Sequence, residues 1–191
     1  KTIKRFTSST TGNSPANGVA VDNKGRIVVA GFAYINSTQQ YDFVVARYLS
    51  DGRTLDTSFN STGIATYDYN SPYGKDDVAY AVAVDSQNRI IVVGSTPKSP
   101  TIGTNLDFAI VRFSEDGITK EASSAQISYY PNPYDDVAYT VTIDRSDRPV
   151  VGGRGYFGFN YDFGLARFTS TSPLSQDNTD RKSTRLNSSH R

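Results

Sequence analysis

Val82-Ala-Val-Asp85, followed by Arg89-Ile-Ile-Val-Val-Gly94, decides how this chain is read. The same phrase stands at Val19-Ala-Val-Asp22 with Arg26-Ile-Val-Val-Ala-Gly31, and at Val141-Thr-Ile-Asp144 with Arg148-Pro-Val-Val-Gly-Gly153. Each copy then reaches an Asp-Phe and an Arg-aromatic pair. These are Tyr41-Asp-Phe43 with Ala46-Arg-Tyr48, Leu106-Asp-Phe108 with Val111-Arg-Phe113, and Tyr161-Asp-Phe163 with Ala166-Arg-Phe168. Self-similarity at a period of about sixty residues marks a modular array. Lengths vary only at 32–40, 95–105 and 154–160, stretches rich in Gly, Pro, Ser, Thr and Asn, so the insertions fall in loops.

Inside one copy the periodicity is that of strands. Ala79-Tyr-Ala-Val-Ala-Val84 alternates, placing Tyr80, Val82 and Val84 on one face and alanines on the other. Ile90-Ile-Val-Val93 is a β-branched run typical of a strand covered on both faces, and Asp85-Ser-Gln-Asn88 is the hairpin turn between the two. A third strand is expected at Phe108–Phe113, ended by Glu115-Asp-Gly117. A fourth is expected at Ile64–Tyr69 after the first copy and at Ala125–Tyr130 after the second. Thr2–Thr7 takes the same position ahead of the first copy, so the chain reads d-a-b-c three times.

The fold class is therefore all-β, a partial β-propeller of three four-stranded antiparallel blades with a disordered C-terminal tail. The expected units are 1–69, 70–130, 131–170 as an incomplete third blade, and 171–191 as the tail. A closed propeller ring takes roughly four to eight blades, so three leave open edges. Those edges are expected to meet further blades of a longer parent chain, or to self-associate.

Residues 181–191 resemble a translated sequencing adapter and are set aside; the alternative is a basic tail for acidic partners. They hold Arg181, Lys182, Arg185 and Arg191 and no acid, so the rest of the chain carries 16 basic against 19 acidic groups, a net −3, although the whole is +1. A mildly acidic body without a basic stripe gives no footprint for nucleic acid. No apolar run approaches the roughly twenty residues of a membrane helix. The absence of Cys excludes disulfides and thiolate metal sites. High Tyr, Thr, Ser and Asn content, with sequons at Asn36-Ser-Thr38 and Asn60-Ser-Thr62, suits an extracellular or cell-surface protein.

Asp76-Asp-Val-Ala-Tyr80, the paired Val-rich strands, Tyr41-Asp-Phe-Val-Val-Ala-Arg-Tyr48 and above all Asp51-Gly-Arg-Thr-Leu-Asp-Thr-Ser-Phe59 with Gly63 resemble the delta-60 repeat. This is a β-propeller repeat of large bacterial surface or secreted proteins, and the likeness covers about residues 1–170. It implies a repeat type and no particular activity. The second and third copies depart from it. Gly117-Ile-Thr-Lys-Glu-Ala122 replaces the Leu-Asp-Thr-Ser-Phe segment, and Pro149 sits where a central strand would want a donor.

Three groups of residues invite a functional reading. Asp76, Asp77, Asp135 and Asp136 precede the first strands of the second and third copies, where copy one carries Asn13-Ser14. They could hold Ca²⁺, a hard cation satisfied by oxygen, or simply cap turns by accepting backbone amides. Tyr73, Tyr130 and Tyr134 could stack on a sugar or pack between blades. The pairs Asp42/Arg47, Asp107/Arg112 and Asp162/Arg167 lie five apart, hence on opposite strand faces, and suit bonds to neighbouring strands or blades better than one site. Gly152-Gly-Arg-Gly155 lacks the following helix that a phosphate loop requires.

Catalysis has little to draw on. The single His is His190, in the set-aside segment, and there is no thiol, so imidazole-dependent and thiol nucleophile chemistry is excluded for the repeats. The expectation is a non-catalytic module that binds a protein or glycan or acts as a scaffold, a fragment of a larger secreted or surface protein. The alternative is a piece of a carbohydrate-acting propeller enzyme that uses Asp76, Asp77, Asp135 or Asp136 as its carboxylates.

Overall fold

The computed structural model describes residues 13–35, 37, 40–69, 76–97, 106–125, 134–157 and 160–177. They form eleven strands and no helix: β1 (Ala16–Val21), β2 (Ile27–Ile35), β3 (Gln40–Tyr48), β4 (Ile64–Tyr67), β5 (Val78–Val84), β6 (Ile90–Pro97), β7 (Leu106–Phe113), β8 (Lys120–Ala125), β9 (Val137–Ile143), β10 (Pro149–Phe157) and β11 (Asn160–Arg167). All pairing is antiparallel between chain neighbours, giving sheets β1-β2-β3-β4, β5-β6-β7-β8 and β9-β10-β11. Each fourth strand thus pairs with the third strand before it. Thr2–Thr7 lies outside the described residues.

The shared Asp and Arg of each copy build its first turn. Asp22, Asp85 and Asp144 accept the backbone N–H of Arg26, Arg89 and Arg148 through Oδ1 at 2.9, 2.9 and 3.0 Å. Their Oδ2 takes the same arginine's Nε at 2.6, 2.6 and 2.8 Å. The last turn residue has positive φ in each case: Gly25 at 75°, Asn88 at 58° and Asp147 at 59°, residue types that tolerate the left-handed region. The repeated glycine at the end of the Val/Ile run has a separate cause. A Cβ on Gly31, Gly94 or Gly153 would stand 2.0, 1.9 or 2.0 Å from the carbonyl oxygen of Pro15, Val78 or Val137. There the first strand carries a register shift, as at Ala79/Ala81, and crowds the second.

The sheets stack face to face, and alternation supplies both interfaces. Val28, Ala30, Phe43, Val45 and Ala65 of the first sheet pack on Ala79, Val82, Ile90, Val92 and Val111 of the second. Ile91, Val93, Phe108 and Ile110, the opposite face of the second sheet, pack on Ala138, Val151, Ala166 and Phe168 of the third. Ile90–Val93 is covered on both sides, as its unbroken β-branched run implies. The face a sheet turns to the next blade is its trailing face, and the opposite one its leading face.

Two expectations change. The fourth strand of the second copy is Lys120–Ala125, earlier than expected, and 126–130 lie outside the described residues. A turn closed by Gly117 N–H to Ser114 O at 2.9 Å, with Gly117 at φ 75°, reverses the chain at once. The first copy instead spends 49–63 on a loop that buries Asp56 and Phe59. Residues 171–177 are part of the third unit rather than a disordered tail: Leu174 is buried in the second core and Phe168 bridges Gln176. The third sheet has three strands among the described residues, as expected of an incomplete blade. Pro149 fits because it opens β10, and its carbonyl accepts Phe168 N–H at 2.8 Å.

Candidate functional site

The four aspartates expected before the first strands do not converge on one site; each pair clamps the blade behind it. Asp76 Oδ1 accepts Tyr41 N–H at 3.0 Å while Asp77 N–H donates to Tyr41 O at 2.7 Å. One blade on, Asp135 Oδ1 accepts Leu106 N–H at 3.0 Å and Asp136 N–H donates to Leu106 O at 2.7 Å. Tyr41 and Leu106 are equivalent residues near the start of a third strand, so the pair ties each blade to its predecessor. Asp76 and Asp135 accept backbone amides of the preceding blade rather than of their own turn.

Asp77 does more. One carboxylate oxygen from each of Asp42, Asp68 and Asp77 lies within 4.8 Å of the others, with Asp42 and Asp77 buried and Asp68 half-buried. Asp77 Oδ2 accepts Tyr69 N–H at 2.9 Å, and its buried Oδ1 accepts no hydrogen bond among the described residues. Gln40 Nε2 donates to Asp68 Oδ1 at 2.9 Å. Burial raises the Asp77 carboxyl to about 6, the charges of Asp42 and Asp68 add to this, and the Tyr69 amide and Thr96 side chain oppose it. Such a group can share a proton or hold a hard cation. Asp68 carried no signal in the sequence, because it stands outside the three-copy landmarks.

Two of the recurring arginines, Arg47 and Arg112, join blades, and the third, Arg167, bonds within its own unit. Arg47 donates through Nε to Asp56 at 2.8 Å, through Nη2 to Ser58 Oγ at 3.1 Å, and through Nη1 to the carbonyl of Glu115 in the next blade. Burial is the first influence on its guanidinium and lowers its pKa, with the Arg26 charge acting the same way and Asp56 opposing. Arg112 bonds Glu121 and the carbonyls of Thr169, Ser170 and Thr171, at 3.3, 3.0 and 2.9 Å for the three carbonyls. Arg167 Nε donates to Asp177 at 3.0 Å. The carboxylate partner follows its arginine by 9, 9 and 10 residues, a spacing legible in the sequence once known.

Of the three tyrosines, Tyr73 and Tyr130 lie outside the described residues. Tyr134 is exposed, but Tyr156 stacks on one of its faces at 3.8 Å and 27°. Tyr156 meets Tyr161 edge-on at 5.4 Å, and the Arg154 guanidinium lies over Tyr161 at 4.6 Å. A shallow polar pocket between the first two blades is lined by Lys24, Arg26, Arg47 and Glu115, whose charges pair with one another: Lys24–Glu115 at 2.5 Å and Arg26–Glu115 at 2.7 Å.

Stacked four-stranded antiparallel sheets, joined in chain order by repeated residues, are the blades of a β-propeller, here in a partial array. Residues 25–59 match the model of a family described as Domain of unknown function (DUF5122) beta-propeller. That match runs from the last residue of the first hairpin turn through β2, β3 and the loop to Phe59. No curated protein matches the chain.

Proposed function

We propose that this chain is a non-catalytic β-propeller module of the delta-60 type, part of a larger extracellular or cell-surface protein, which serves as a scaffold or presents its loops to a protein or glycan. One observation supports the reading: charged side chains that recur with the repeat are engaged in joints between neighbouring blades, as Arg47 with Glu115 O, and Asp76 and Asp135 with the N–H groups of Tyr41 and Leu106. A catalytic site would more often break the repeat than follow it. The mildly acidic body agrees with partners other than nucleic acid, and no helix among the described residues is long and apolar enough to cross a membrane.

The test is incubation of the chain with a panel of polysaccharides. Saturable binding without turnover supports the module. Turnover that disappears in Asp77→Asn or Asp136→Asn would establish the carbohydrate-acting alternative instead. A second reading places Ca²⁺ on Asp42, Asp68 and Asp77, favoured by the approach of three carboxylates around a buried Asp77 oxygen that accepts no hydrogen bond among the described residues.

A further inference from the structure

The second and third blades share a clamp but not its last hydrogen bond. Asp77 and Asp136 each stand immediately before the first strand of their blade, and both are fully buried. Asp136 Oδ1 accepts the N–H of Tyr156, twenty residues on, at 3.2 Å. Val137 pairs with Arg154 as Val78 pairs with Ser95, so the residue in the place of Tyr156 in the second blade is Pro97. Proline has no N–H to give. Asp77 Oδ1 is buried and accepts no hydrogen bond among the described residues.

A second break in the repeat lies beside the first. Phe43 pairs with Tyr67 and Phe108 with Ala125, so the residue that corresponds to Asp68 is Gln126. One oxygen each of Asp42, Asp68 and Asp77 lies within 4.8 Å of the others, and the described residues hold no second trio of this kind. Two of these carboxylates are held in place by neighbours: Gln40 Nε2 donates to Asp68 Oδ1 and Tyr69 N–H to Asp77 Oδ2, each at 2.9 Å. Asp42 and Asp68 belong to the first blade, and Asp77 leads into the strand whose Ala79 and Val82 lie on the second blade's leading face.

A buried carboxylate is stable when paired or when it coordinates a metal, and Ca²⁺ takes six to eight oxygens from carboxylates and waters in a flexible geometry. We propose that Pro97, standing where the repeat has an amide donor, turns the joint between the first two blades into a site for one Ca²⁺ held by Asp42, Asp68 and Asp77. The next joint, closed by Tyr156 N–H and with Gln126 in place of the third carboxylate, takes none. This assignment rests on the Ca²⁺ reading of the three carboxylates and adds which joint binds, why it binds, and what the ion does there: it fastens the first blade to the second.

Isothermal titration of CaCl2 into the chelator-treated chain reads the site. One Ca²⁺ per chain is expected, with binding lost in Asp77→Asn and unchanged in Asp136→Asn. Pro97→Ala returns an N–H to the joint without removing a carboxylate. It should bind about ten- to a hundredfold more weakly, the range for changing a group that orients a metal ligand. Circular dichroism like the parent's shows that each variant is folded; should Pro97→Ala not fold, the two aspartate variants still tell the joints apart. Equal binding by folded Pro97→Ala would overturn the role of Pro97 and leave the cation reading standing. No binding by the parent would overturn both. Two ions per chain, or weaker binding in Asp136→Asn, would overturn the restriction to the first joint.

Discussion

The Nε of Arg47 lies 2.8 Å from Oδ2 of Asp56, with the arginine side chain 1% exposed and the aspartate 7%. The pair holds the long loop of the first blade against β3, while the same guanidinium reaches over to the second blade and lies 4.8 Å from the Phe59 ring centroid. One side chain thereby fixes a loop and a blade interface together.

Removing it takes the Nε donor from Oδ2 of Asp56, which keeps Ser58 on its other oxygen and Arg26 at 3.6 Å, and takes the guanidinium from a carbonyl of the neighbouring blade. Arg47→Ala should lower unfolding stability by about 3–5 kcal/mol, read by urea denaturation. Arg47→Lys should recover part of the loss, because an ammonium cannot span Asp56, Ser58 and the Glu115 carbonyl in one planar fork. A neutral Arg47→Ala would mean that the joint contributes nothing.

Gly94 faces the carbonyl of Val78, which an added Cβ would approach to 1.9 Å. Both sides of that contact are backbone, so no side chain can give way. Gly94→Ala should cost about 1–3 kcal/mol or more in the same assay, against a change near zero for a glycine facing open space.

The Asp77 carboxyl, raised to about 6 from 3.8, binds its proton more tightly folded than unfolded. Its contribution therefore favours folding at low pH and is lost as pH rises through about 6, costing about 3 kcal/mol once ionised in the absence of metal. In chelator, Asp77→Asn should be more stable than the parent at pH 7.5 and nearly equal to it at about pH 3, where the carboxyl is protonated both folded and unfolded. Parallel stability curves across that range would contradict the assignment. Tyr67 and Tyr69 pack beside the group, but their hydroxyls are raised above the usual phenol value by burial and stay neutral throughout.

Ca²⁺ bound by Asp42, Asp68 and Asp77 would offset their mutual repulsion. Adding the ion at pH 7.5 should raise the melting temperature of the parent and leave Asp77→Asn unmoved. An equal shift in both proteins, or none in the parent, would remove the cation from the account.

The blades were legible because their causes are local. Alternation in Ala79–Val84, the double-covered run Ile90–Val93 and the turn chemistry of Asp85–Asn88 each follow from a few adjacent residues. The fourth strand of the second blade was misplaced because its start depends on a loop that the first copy has and the second lacks. The carboxylate group was only half visible. Asp77 was named with Asp76, Asp135 and Asp136 because they share a sequence context, whereas its actual neighbours, Asp42 and Asp68, come from the end of another blade and meet it only when the sheets stack. Arg112 and Asp177 likewise owe their roles to segments that sequence spacing alone assigned to no partner.

The central claim is that the recurring charged residues hold blades together rather than form a site. Hydrogen exchange by mass spectrometry on Arg112→Ala tests it most directly, since Arg112 bonds Thr169 O, Ser170 O and Thr171 O across the second interface. The account predicts faster exchange in the second and third blades on both sides of that interface, with the first blade nearly unchanged. Unaltered exchange together with lost ligand binding would contradict it and make Arg112 part of a binding site.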